Sequence, residues 1–93
     1  MSIDIEHDPV AGRYYVELDG TAAYLDYRQV DDQTRDFTHT YVPKALRGRG
    51  LAGKIVRFAL EDSRAQGIKV IATCSFVADT IQRDPSFADI VAK

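Results

Sequence analysis

The densest chemistry in the chain lies in residues 42–55, Val-Pro-Lys-Ala-Leu-Arg-Gly-Arg-Gly-Leu-Ala-Gly-Lys-Ile. Gly48, Gly50 and Gly53 stand among Lys44, Arg47, Arg49 and Lys54, and an amphipathic helical pattern begins at Leu51. From Lys44 to Arg57 there are five basic residues and no acidic one, in a chain of formal net charge −2. A glycine-rich turn that opens a helix leaves backbone N–H groups unpaired at the positive end of the helix dipole. Without side chains in the way, an anion can approach that backbone closely. Cations in a first helical turn oppose the dipole unless an anion arrives, so the stretch is built to hold phosphate.

Two common phosphate patterns run over these glycines, and each fails at a residue it requires. As G-x-x-x-x-G-K-[ST] the stretch runs from Gly48 to Lys54 and then meets Ile55, which lacks the hydroxyl that binds Mg²⁺. As G-x-G-x-x-G it uses Gly48, Gly50 and Gly53. That fingerprint requires an acidic residue about 20 positions on, at the end of the next strand. Here the next strand candidate ends in Thr73-Cys74-Ser75.

The elements that must position the loop can be read from periodicity. Residues 2–8 and 13–18 alternate apolar with polar, as half-buried strands do, with Tyr14, Val16 and Leu18 on one face. Asp19-Gly20 is a primed-turn hairpin signal. Residues 21–27 form a third strand, with Ala23, Leu25 and Tyr27 opposite Tyr24 and Asp26, and the polar run 29–34 reads as a turn. Residues 35–42 form the fourth strand, which Pro43 ends. A helix over about 50–66 carries Leu51, Ile55, Phe58 and Ala59 on one side and stops at Gly67. The apolar run 68–74 suits a strand covered on both faces. Residues 75–82 can form a short helix capped by Ser75, and Asp84-Pro85-Ser86 opens a last helical turn carrying Phe87, Ile90 and Val91. The expected fold is α+β: an antiparallel four-stranded meander plus one right-handed βαβ unit, giving a mixed five-stranded sheet with one main helix.

A third pattern, [Q/R]-x-x-G-x-[G/A], is met by Arg47-Gly48-Arg49-Gly50-Leu51-Ala52 between an extended strand and a helix. In that setting it resembles the acetyl-CoA pyrophosphate loop of the GNAT superfamily of N-acetyltransferases. More narrowly, the chain is similar to a small, minimal GNAT-like family. The matching pieces are Thr38 through Pro43, Arg47 through Ala52, and Val70 through Val77 with Cys74-Ser75-Phe76-Val77. It departs from the full superfamily in two places. Asp8 to Gly12 leaves room only for a turn where paired helices normally follow the first strand, and the terminal strands that complete the acceptor groove are missing.

The resemblance implies acetyl-CoA as cosubstrate. Backbone groups of Thr40, Tyr41 and Val42 would align its pantetheine arm, and N–H groups of Arg47, Gly48, Arg49, Gly50, Leu51 and Ala52 would hold its pyrophosphate. It further implies His39 and Cys74 as the catalytic candidates. An amine near pKa 10 is mostly protonated at neutral pH, so transfer benefits from a base such as histidine. A cysteine thiolate could instead take the acetyl group and pass it on. Each has a plainer reading: Cys74 as a small buried hydrophobe, and His39 as a cross-sheet hydrogen-bonding residue.

Composition bounds the remainder. Ninety-three residues allow one domain, 1–93, of ordinary apolar and charged content. The acidic balance argues against a general nucleic-acid binder. A single cysteine forms no internal disulfide. No leader pattern opens the chain and no apolar run spans a bilayer, so a cytoplasmic protein without a membrane partner is expected. His39, His7 and Cys74 lack metal-ligand spacing, so no metal is expected. His7 reads as a solvated residue beside a turn, Glu61, Asp62 and Arg64 as an exposed helix face, and the tyrosines as sheet packing. The leading expectation is a monomeric N-acetyltransferase acting on an unidentified amine, either a small molecule or a protein lysine. The alternative is a non-catalytic CoA- or acyl-CoA-binding module.

Overall fold

The computed structural model describes residues 4–92. Strands β1 (Glu6–Asp8), β2 (Arg13–Leu18), β3 (Thr21–Asp31), β4 (Thr34–Tyr41) and β5 (Lys69–Ala72) form one sheet in sequence order. The first four pair antiparallel, and β5 runs parallel to β4 after the crossover helix α1 (Leu51–Ala65). Helix α2 (Ser75–Arg83) and a 3₁₀ helix (Pro85–Ile90) follow. The mixed five-stranded α+β sheet expected from periodicity is the architecture found.

One apolar layer holds the molecule together. Val16, Leu25 and Phe37 from the sheet meet Ile55 and Leu60 of α1 and Val77 of α2 in a single buried cluster. All the helices therefore cover the same sheet face. The opposite face, with Glu17, Tyr24, Tyr41 and Ile71, is open.

Several boundaries differ from expectation, each for a local reason. Of the first expected strand, Ser2 and Ile3 lie outside the described residues and pairing begins at Glu6. The expected turn at 29–34 shrinks to Asp32-Gln33, because Arg28↔Asp36 and Gln29↔Arg35 continue the ladder and the Asp31 carboxylate accepts the Gln33 N–H. A further 3₁₀ turn, Lys44–Leu46, buries Leu46 just before the glycine loop. On α1, Val56 is buried while Phe58 is 43% exposed and meets the Tyr14 ring edge-on. β5 is covered on one face only, since Ile71 is 38% exposed. The cap of α2 is Cys74 rather than Ser75, and no side chain closes it.

The largest correction concerns His7. It is half-buried, stacked flat on Tyr14 at 4.1 Å, with Nε2 2.6 Å from the Tyr27 hydroxyl. Tyr14 donates to Asp62 at 2.5 Å and accepts from Arg35 at 2.7 Å, and buried Arg35 also donates to Gln29, Ser63 and Gln66. Asp62 is therefore no ordinary exposed helix residue: its carboxylate answers the one buried guanidinium described. Burial and the Asp62 carboxylate push the Tyr14 phenol well above its ordinary range. The network ties β1, β2, β3 and β4 to α1 at the end of the sheet away from the glycine loop.

Candidate functional site

The site begins where β4 and β5 part. Their parallel pairing runs from Thr34↔Lys69 to Phe37↔Ala72, and one more bond joins the Cys74 N–H to the Phe37 carbonyl at 2.8 Å. Beyond it β4 continues to Tyr41 while β5 turns into α2. The gap is a cleft of about 590 Å³ lined by Thr38 through Val42, Arg47, Ala52 and Thr73 through Phe76. Strand backbone that has lost its neighbour keeps unmet hydrogen-bonding capacity, which a ligand can use.

A β-bulge decides which side chains reach the cleft from which side. Tyr27 pairs with Phe37 but Asp26 pairs with His39, so Thr38 is the extra residue and the alternation along β4 is reset. Thr40, opposite buried Leu25, therefore faces the helices, where its Oγ1 lies 3.3 Å from Cys74 Sγ. His39 faces the open side, its ring 6.3 Å from that of Tyr24, which in turn lies 5.4 Å from the ring of Tyr41. The two catalytic candidates thus border one cleft from opposite faces of the sheet. The group in contact with the Cys74 sulfur is the Thr40 hydroxyl.

Next to the cleft, a smaller hollow of about 240 Å³ is bounded by Leu46, Gly48, Gly50, Leu51 and Gly53 and shares Val42, Arg47, Ala52 and Phe76 with it. Gly48 (φ 84°) and Gly50 (φ 71°) are left-handed, and a Cβ at either would meet nothing within 4 Å. Gly50 is the residue before α1 and caps it with no side chain, while the first turn carries no acid. The leading N–H groups of a 15-residue helix are thus open to an anion. The residues fit a diphosphate group.

The expected binding residues divide accordingly. Thr40 and Tyr41 line the cleft, Gly48, Gly50 and Leu51 line the hollow, and Val42, Arg47 and Ala52 line both. Leu51 is 2% exposed and can offer only its backbone. Arg47 folds back so that Nε donates to the Val42 carbonyl at 3.1 Å. Arg49 points elsewhere, 4.0 Å from Asp19 on the β2–β3 turn, and borders neither cavity. Sequence reasoning missed Phe76, 41% exposed and shared by both cavities. Its signal was present in the Cys74-Ser75-Phe76-Val77 stretch, where it is the apolar residue that α2 does not turn into the core.

Known proteins share this chain's family and fold. Residues 13–90 match the family model described as GCN5-related N-acetyl-transferase. Protein NATD1 of Xenopus tropicalis is 34% identical over 86 residues, spanning 90% of this chain and 79% of that protein. Protein NATD1 of Homo sapiens is 33% identical over 85 residues, spanning 89% and 75%. The solution structure of a GCN5-like protein from Staphylococcus aureus superposes with a TM-score of 0.75 at 27% identity, covering 96% of this chain and 87% of that one.

Proposed function

This chain belongs to the GCN5-related N-acetyltransferase family, and on that premise we propose that it transfers the acetyl group of acetyl-CoA to an amine. The observation that carries the reading is the junction of two cavities, one bounded by open helix N–H groups and the other by unpaired strand backbone. Diphosphate at the first and a pantetheine arm along Thr40–Val42 at the second would bring the thioester to the level of His39 and Cys74. The acceptor then approaches from the helix-free face, because α1 and α2 cover the other.

On that face His39 is exposed and can take the proton that the amine must lose. The amine nitrogen attacks the thioester carbonyl, a C–N bond forms, the C–S bond breaks, and the CoA sulfur leaves with the electron pair and is protonated. Direct transfer suits the arrangement better than an acetyl-cysteine, since His39 and Cys74 face apart. The second reading, a non-catalytic acyl-CoA-binding module, is favoured by the open acceptor side alone.

The test is thermal unfolding with acetyl-CoA, ATP or NAD, followed by transfer assays on lysine peptides and polyamines. Ligand at about 100 times its Kd stabilises by roughly 2.7 kcal/mol, a rise on the order of 10 °C for a domain of this size. A rise with acetyl-CoA alone supports the cosubstrate. Transfer lost in His39→Gln and kept in Cys74→Ala supports the direct route. The reverse pattern would establish an acetyl-cysteine, and binding without transfer would leave the module.

A further inference from the structure

The two cavities meet at a neck formed by Val42, Arg47, Ala52 and Phe76. Any ligand that spans from the open helix end to the diverging strands must pass through it. On one side the neck is polar, with the Arg47 guanidinium tied to the Val42 carbonyl. The other side is Phe76, the one aromatic side chain that borders both cavities and, with Tyr41 of the cleft, among the large hydrophobic residues left substantially exposed.

Phe76 is held there rather than placed loosely. It sits in the first turn of α2, whose Val77 and Thr80 turn into the core, and Thr80 Oγ1 donates to the Phe76 carbonyl at 2.9 Å. The residue stands outside the core cluster, and the 41% of it that is exposed stays in water unless a ligand covers it. A nucleotide bound only by its phosphates would end at the glycine hollow. A flexible, partly aliphatic arm continuing into the cleft would cross the ring. From these positions we infer that Phe76 is a specificity-determining residue, selecting ligands that carry a pantetheine arm over nucleotides that share only the phosphates. The inference rests on acetyl-CoA being the cosubstrate.

The experiment compares two ligands on wild type and Phe76→Ala by calorimetry: CoA, and adenosine 3′-phosphate 5′-diphosphate, which keeps the phosphates and lacks the arm. Burying a phenyl ring against the arm is worth about tenfold in affinity, about 1.4 kcal/mol. The expected result is CoA binding weakened by about that factor, the truncated nucleotide unchanged, and Phe76→Leu recovering most of the loss. Equal weakening of both ligands, or no change in either, overturns the assignment. If Phe76→Ala does not fold, Phe76→Gln, similar in reach but polar, carries the same comparison. Wild type that binds neither ligand overturns the cosubstrate reading itself, and this inference with it, an outcome the variant data cannot be mistaken for.

Discussion

His7 shows how a single residue changes meaning once its neighbours are known. Its sequence surroundings, Glu6 and Asp8, suggest a solvated imidazole, yet the ring is sandwiched against Tyr14 and bonded to Tyr27. Burial first, and the Arg35 guanidinium second, lower its pKa from the ordinary value, outweighing Asp62 and Asp8. A histidine whose pKa falls on folding binds protons more readily when unfolded. Its contribution to stability is therefore fully present above the unfolded value near 6.5 and is lost as pH falls from there through the folded value. Stability measured by urea unfolding should drop as pH falls below about 6.5, and His7→Phe, which keeps the stacked ring, should flatten that slope. An unchanged slope in the variant would assign the pH dependence to other groups.

At the scale of elements, the turn between β1 and β2 makes a sharp demand. Gly12 adopts φ 72°, accepts the Tyr27 N–H at 2.9 Å, and a Cβ there would stand 2.6 Å from the Tyr27 carbonyl oxygen. Gly12→Ala must push the turn off β3 as well as adopt a left-handed conformation. It should destabilise by at least about 2 kcal/mol, seen as a Tm lowered by on the order of 10 °C. Gly20→Asn is the control: φ is 77°, the space is open, and asparagine tolerates that region, so its Tm should move little. Elements of this kind were legible in sequence wherever local chemistry fixed them. The Asp19-Gly20 turn, Gly67 at the end of α1 and the alternation of β2 all follow from side-chain period and permitted φ. The bulge at Thr38 was not legible, because nothing in Thr38-His39-Thr40 marks which residue lacks a partner on β3. That single offset turns Thr40 toward Cys74 and His39 away from it, so most residues lining the two cavities could be named from sequence, Phe76 excepted, while their sides could not. Arg35 was hidden for a related reason, since its partners Tyr14 on β2 and Ser63 on α1 lie far along the chain.

On the scale of the whole molecule, one covered sheet face must supply nearly all the stability, and the site is built where that cover thins. The segment after α2 closes the core at the far end of β5. Phe87 and Ile90 are buried, Ala92 donates to the Val70 carbonyl at 2.8 Å, Lys69 reaches the Asp89 carbonyl at 2.7 Å, and Arg64 binds Asp89 at 2.9 Å beside the Phe87 ring. A chain of this length holds on the order of 5–14 kcal/mol in total. Phe87→Ala removes a buried ring and leaves a cavity, at a cost of about 3–5 kcal/mol. It should lower the Tm by more than about 12 °C. Because Phe87 borders neither the cleft nor the glycine hollow, acetyl-CoA affinity measured well below that Tm should stay within about twofold of wild type. A small loss of Tm would mean that the segment rides on a core complete without it. A large loss of affinity in the folded variant would mean that α2, which carries Cys74 and Phe76, takes its position from the residues that follow it. In that case the segment after α2 belongs to the site's architecture as well as to the core.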